Sequence, residues 1–221
     1  MKKKIAFVHN AMLEMYNFRG ELLQELKAKG YEITVICPPD EKNAHYFTDL
    51  GIKLITVPMS RKGTNIKEDL QLVKNLFKVY KKEKFDLVFH YTIKPNIYGT
   101  LAAKLAGIKS IAITTGLGYV FLHNNITSLI AKFMYKFSLA FANEVWFLND
   151  DDMSIFLEKD LITERQAFKL PSEGINTKRF VPKEKNRKDS KTVFLMIARV
   201  LYDKGFNEYL EAAKLIKAQR N

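Results

Sequence analysis

With 221 residues, 47% of them apolar, the chain is long enough to bury a core, and no short repeat marks it as a solenoid. Its single cysteine excludes an internal disulfide and fits a reducing cytoplasm, and four scattered histidines give no spacing for a structural zinc site. The formal charge of +12 suits nucleic acid, an anionic membrane face, phosphate-bearing substrates, or simply a solvated lysine surface.

The first element is a buried strand over 4–9 (KIAFVH), too short for the core of a signal peptide or a membrane span. A helix is predicted over 17–29, with Phe18, Leu22 and Leu26 on its apolar face, then a strand over 32–37 stopped by Pro38 and Pro39. Next come a strand over 53–57, a long basic helix over 66–84, and a strand over 86–91. A helix over 96–106 leads to a strand over 109–114, and a helix over 126–142 to a strand over 144–148. A short helix from Asp150 and a strand over 166–170 follow. A charged, aperiodic stretch over 181–191 reads as a linker, and a strand over 192–198 with a helix over 205–219 close the chain. The strands are apolar almost throughout, as parallel strands covered on both faces must be. Their alternation with helices predicts an α/β, Rossmann-like doubly wound parallel sheet of six or seven strands through about residue 180. The last β-α pair cannot bury its own faces, so it reads as the incomplete opening of a second domain whose strand does not join the first sheet. The expected organisation is 1–182, a linker over 183–191, and 192–221.

Ligands of open parallel sheets bind at the carboxyl ends of the strands, so the strand-to-helix loops carry the candidate site. No G-x-G-x-x-G follows the first strand and no P-loop pattern is present, which argues against a dinucleotide oxidoreductase or a P-loop NTPase. Asn10 follows the first strand, and Arg19 is expected beside a helix start. Thr92 and Lys94 follow the strand ending at Tyr91, with Pro95 starting the next helix so that its amides and the Lys94 ammonium could face an anion or sugar hydroxyls. Thr115, Gly116 and Gly118 form a loop in which glycine lets backbone approach a ligand. The helix over 126–142 carries Lys132 and Lys136 on an otherwise apolar surface. The plainer reading is a buried helix whose lysines reach outward, and the sharper one is a helix lying on an anionic membrane. Arg199 and Lys204 flank the turn between the last strand and helix, where two cations and free helix amides would cradle a diphosphate.

The residues Gly174-Ile175-Asn176, Phe180 and Pro182, followed by an apolar strand and Ala198-Arg199-Val200 with Lys204-Gly205, resemble the domain junction of family 4 GT-B glycosyltransferases. The stretches 91–99 (YTIKPNIYG) and 115–119 (TGLGY) are similar to bacterial members that build capsular, O-antigen or lipid-linked oligosaccharides. The resemblance implies a GT-B fold in two Rossmann-like domains and a retaining transfer of sugar from a nucleotide-sugar donor to a glycan or polyprenyl-diphosphate-linked acceptor. It makes Arg199 and Lys204 the donor-diphosphate ligands, and places Asn10, Arg19, Thr92, Lys94, Thr115, Gly116 and Gly118 on the acceptor side. Gly174 and Asn176 become the hinge. No metal or other cofactor and no nucleic acid is expected. The implied place is the cytoplasm, peripheral at the inner face of the cell membrane, in capsular polysaccharide or lipopolysaccharide synthesis. Two departures stand out. Many members have a glycine-rich loop where this chain has Asn10-Ala11-Met12, and the E-x₇-E motif of the donor domain has no counterpart. The catalytic residues are therefore unassigned, and this chain is expected to be inactive by itself. The rival readings are a GT-B-like sugar-nucleotide epimerase and a non-catalytic module binding polyanions or membranes.

Overall fold

The computed structural model describes residues 2–60, 63, 65–117, 126–171, 174–182, 192–198, 200 and 202–219. The chain divides into two compact units, Met1–Gly174 and Ile175–Asn221.

The first unit runs β1 (Lys4–Val8), α1 (Met12–Ala28), β2 (Glu32–Cys37), α2 (His45–Asp49), β3 (Lys53–Thr56), α3 (Ile66–Glu83) and β4 (Leu87–Tyr91). A single π turn, Pro95–Gly99, runs into α4 (Thr100–Ala106), and then come β5 (Lys109–Thr114), α5 (Ile126–Leu139), β6 (Glu144–Phe147), α6 (Asp150–Glu158) and β7 (Ala167–Lys169). The seven strands form one sheet in the order β3-β2-β1-β4-β5-β6-β7, and every neighbouring pair is parallel. Parallel neighbours need a crossover long enough to hold a helix, which the α/β alternation supplies.

The chain winds outward from β1 to β3, returns to the other side of β1 as β4, and winds outward again to β7. The order reverses between β1 and β4, and that reversal opens a crevice at their carboxyl ends. β1 is buried on both faces, with Phe7 on one and Ala6 and Val8 on the other. On the first face Phe7 packs with Met12, Met15, Leu23, Val35 and Phe47. On the second, Leu72, Leu76 and Tyr80 of α3 meet Val88, Ala102 and Ala103. A further cluster joins Tyr135 and Leu139 of α5 to Val145, Phe147 and Phe156. Cys37 ends β2 wholly buried, and loss of hydration pushes its thiol up to about 12.

Several expectations change. The first helix starts at Met12, five residues before the polar Asn17 that resembled a boundary, and has no side-chain cap. Its buried face is Met12, Met15, Arg19 and Leu23, whereas Phe18 and Leu22 are exposed. α2 was not foreseen, because five residues are too few to show a helical period. The strand expected over 192–198 does not form, and residues 192–197 carry no regular secondary structure. A strand exists through its ladder with a neighbour, and no strand partner is present among the described residues of 175–221. That second unit consists of a 3₁₀ turn, Tyr202–Lys204, and α7 (Phe206–Gln219), with the Tyr209 hydroxyl donating to the Phe194 carbonyl at 3.1 Å.

Candidate active-site crevice

The loop after β1 is held by its own histidine. The His9 amide donates to the Ile36 carbonyl at 3.1 Å, and its Nδ1 accepts from the Ala11 amide at 2.9 Å. Asn10 lies half-buried between these anchors, at the reversal point.

Arg19 lies within α1, not beside its start, so the helix dipole does not bear on it. Its side chain is 4% exposed, with the guanidinium 4.4 Å from the Tyr91 ring centroid, a cation-π contact that draws α1 onto the last residue of β4.

Thr92 leaves β4 with φ of 71°, a left-handed conformation that a β-branched residue adopts only under strain. Its carbonyl accepts from the Asn96 amide at 2.9 Å, which starts the following helical turn, and its buried Oγ1 has no hydrogen-bond partner among the described residues. Asn96 in turn donates through Nδ2 to the Ile113 carbonyl at 3.0 Å, tying this turn to β5.

Lys94 was expected to present an open cation. Instead it is 8% exposed and donates to Asp69 Oδ1 at 2.6 Å and Ser60 Oγ at 2.7 Å. The Tyr98 hydroxyl donates to Asp69 Oδ2 at 2.8 Å, and burial, together with that carboxylate, pushes the phenol pKa up. An ammonium leaves water at this cost only when paired, so Lys94 arrives at the crevice already neutralised. Asp69 escaped the sequence reading, although a signal was present. It sits on the same face of α3 as the buried Leu72, Leu76 and Tyr80, where a lone carboxylate implies a buried partner.

Much of the 91–99 stretch proves to be architectural. His90 is wholly buried, with Nε2 2.9 Å from the Tyr80 hydroxyl and Nδ1 3.3 Å from Thr100 Oγ1. Burial pushes its pKa down to about 3, so the ring is neutral at ordinary pH. A Cβ on Gly99 would stand 2.5 Å from that ring, which accounts for glycine in the π turn.

Beyond β5, Thr115 and Gly116 are exposed, and Gly116 has φ of 133°, open to glycine and strained for other residues. Gly118 lies outside the described residues. Gly174 closes the first unit with φ of 72°. In the second unit, Asn176 Oδ1 accepts from the amides of Lys178 at 2.9 Å and Arg179 at 3.0 Å, an Asx turn. Lys204 is exposed at the end of the 3₁₀ turn, next to Gly205, whose φ is 72°. Arg199 lies outside the described residues. Asn10, Arg19, Thr92, Lys94, Thr115 and Gly116 therefore all stand at or beside the carboxyl ends of β1, β4 and β5.

A cavity of about 380 Å³ opens beside Lys94, between the loop after β3 and the first turns of α3. The plainer reading of the helix over 126–142 holds for one face only. Ser128, Tyr135, Ser138 and Leu139 of α5 face inward, but Ile126, Leu129, Ile130, Phe133 and Phe137 form an exposed apolar stripe, 51–78% accessible. Among the described residues no helix is long and apolar enough to cross a membrane.

Residues 4–149 match the family model described as glycosyl transferase 4-like. The chain is 32% identical over 237 residues to the N,N'-diacetylbacillosaminyl-diphospho-undecaprenol alpha-1,3-N-acetylgalactosaminyltransferase of Campylobacter jejuni, covering 99% of this chain and 62% of that protein. It is 26% identical over 196 residues to the UDP-Gal:alpha-D-GlcNAc-diphosphoundecaprenol alpha-1,3-galactosyltransferase of Escherichia coli, covering 84% and 50%. The chain thus spans roughly half to two thirds of the length of these curated relatives. A solved glycosyltransferase from Rickettsia africae shares the fold with a TM-score of 0.59 at 21% identity, covering 76% of this chain and 42% of that one. A UDP-N-acetylglucosamine 2-epimerase does so at 0.58 and 17%, covering 76% and 48%, so the fold alone does not separate the two chemistries. With two thirds of its length matched by the family model and the sheet order described above, the chain belongs to the glycosyl transferase 4-like family.

Proposed function

We propose that the protein carrying this chain transfers a sugar, with retention, from a nucleotide sugar to a polyprenyl-diphosphate-linked saccharide or related glycan in cell-surface polysaccharide synthesis. The likeness over 99% of the chain to a transferase named for a diphospho-undecaprenol substrate carries this reading. The β1/β4 crevice would take the acceptor, with Asn10, Thr92, Thr115 and Gly116 at its rim, Gly118 acting from the same sequence stretch as Thr115 and Gly116, and Arg19 bracing it through Tyr91. Lys94 belongs to this side through its pair with Asp69. Arg199 and Lys204 would neutralise the charge that develops on the departing nucleoside diphosphate, a task two fixed cations can perform without a metal. Gly174 and Asn176 would form the hinge between the two halves.

The reaction is placed at an anionic membrane face, and the exposed stripe of α5 supports this. Its apolar side chains sit beside Lys132 and Lys136, and Lys104 lies 5.4 Å from the Phe141 ring just beyond. Apolar burial with flanking lysines is how interfacial helices hold to anionic lipid.

An epimerase needs acids and histidines converging in the crevice. His9 and His90 instead spend ring nitrogens on the fold, and His45 is exposed against Tyr46 on α2. His123 lies outside the described residues.

Activity is tested with a version extended to the full length of the relatives, given a panel of nucleotide sugars and polyprenyl-diphosphate saccharides. Transfer with retained anomeric configuration is expected, and Arg199→Ala and Lys204→Ala should each lower kcat/KM about 10²–10³-fold. Release of free sugar or epimer without transfer refutes the reading. For the membrane, flotation with anionic vesicles should exceed that with neutral ones and fall in Phe133→Ser/Phe137→Ser. Equal partitioning to both vesicle types refutes the electrostatic part.

A further inference from the structure

The cavity beside Lys94 is not needed to explain either the fold or the diphosphate chemistry. Its apolar lining is the buried Met59 and Leu72 with the exposed Pro58. Among the described residues its walls carry Lys67 and Lys94 against Glu68 and Asp69, two charges of each sign. The start of α3 is not an open anion cradle either. Asn65 Oδ1 already accepts from the amides of Lys67 at 3.1 Å and Glu68 at 3.4 Å. A phosphate would find its helix amides taken and two carboxylates nearby.

What remains uncommitted is a mixed set of donors and acceptors. Gln71 Nε2 donates to Asn75 Oδ1 at 2.7 Å, one turn along α3, which leaves an amide oxygen on one residue and an amide N–H on the other. Turning both amides over reverses the roles and leaves the same pair. The Lys94 ammonium has three protons and spends two, on Asp69 and Ser60, in a position fixed by burial. At about 380 Å³ the cavity lies near the small end of ligand sites, which run about 300–1,000 Å³. Apolar side chains beside donors and acceptors, with both signs of charge among the described lining residues, match a pyranose ring, whose C–H face is apolar and whose hydroxyls each donate and accept.

We propose that this cavity is a subsite for one neutral sugar unit of the acceptor glycan, with Gln71 and Asn75 reading its hydroxyl or acetamido substituents and Lys94 anchoring it from the crevice side. The assignment to the acceptor rests on the glycosyltransferase reading. The affinity for a neutral sugar ring does not, because every lining residue lies in the first unit.

The test uses the 221-residue chain, following the side-chain amide signals of Gln71 and Asn75 by ¹⁵N NMR. Methyl glycosides of glucose, galactose and N-acetylglucosamine, inorganic pyrophosphate and a UDP-sugar are added in turn. At least one methyl glycoside should shift both signals saturably, and pyrophosphate should shift neither. Gln71→Ala/Asn75→Ala should weaken that binding about tenfold, two lost hydrogen bonds' worth, with the melting temperature unchanged. The proposal is overturned if pyrophosphate shifts the signals, if no glycoside does, if only the UDP-sugar does, or if the double variant binds like the parent. In the extended enzyme the same variant should raise the acceptor KM and leave the donor KM alone. An inactive extended enzyme with intact glycoside binding would remove the transferase reading while keeping the sugar site.

Discussion

Thr92 is where the crevice stores strain. A β-branched residue at positive φ costs about 1–3 kcal/mol, against about 0.5–1 kcal/mol of extra unfolded-state freedom that glycine would bring. Thr92→Gly should therefore stabilise the protein by on the order of 1 kcal/mol in urea unfolding, and a loss of stability would show that the conformation is not strained. The Lys94–Asp69 pair behaves oppositely. Asp69→Ala strands a buried ammonium and should cost about 3–5 kcal/mol, while Asp69→Leu/Lys94→Met should recover most of that loss. Equal losses in the single and double variants would mean the charges are not coupled. His90 gives a pH signature. Its folded pKa is depressed to about 3 from 6.5, so the unfolded chain takes up a proton that the folded ring refuses. This contribution is fully present above pH 6.5 and is lost as pH falls from 6.5 toward 3, with a slope of up to about 1.4 kcal/mol per pH unit. The unfolding free energy of the parent should fall through that window more steeply than that of His90→Gln, and parallel curves would disprove the assignment.

At the scale of elements, Gly99 lets the π turn Pro95–Gly99 lie close against the His90 ring. Gly99→Ala should cost about 1–3 kcal/mol as the ring or the turn yields, and a neutral result would show slack at this contact. The sequence made the strands legible because each is a short apolar run bounded by turn residues, and all seven fall within one residue of expectation at both ends. The start of α1 was hidden because Met12 and Met15 carry no start signal, and that error misplaced Arg19 relative to the helix and its buried face. Of the site, the loops were legible from topology, since strand ends locate the crevice whatever residues occupy them. The pairing of Lys94 was not legible, because Asp69 is 25 positions away and a local pattern holds no record of such a contact. For α5 the composition showed an apolar helix, but which stripe lacks a covering partner is decided by the neighbouring elements.

For the whole molecule, the single cysteine acquires a use. Cys37 sits at 0% exposure at the end of β2, between β1 and β3, with its thiol pushed up to about 12. Both burial and the scarcity of thiolate keep it silent toward a disulfide reagent while the sheet is closed. Labelling then waits on an opening that separates β2 from its neighbours, and its rate at low reagent reports the free energy of that opening. Thr92→Gly should slow the labelling and Asp69→Ala should hasten it, in proportion to their effects in urea, if the sheet opens as one cooperative body. The protein thus carries its own clock for unfolding, readable with a coloured reagent and no engineered label.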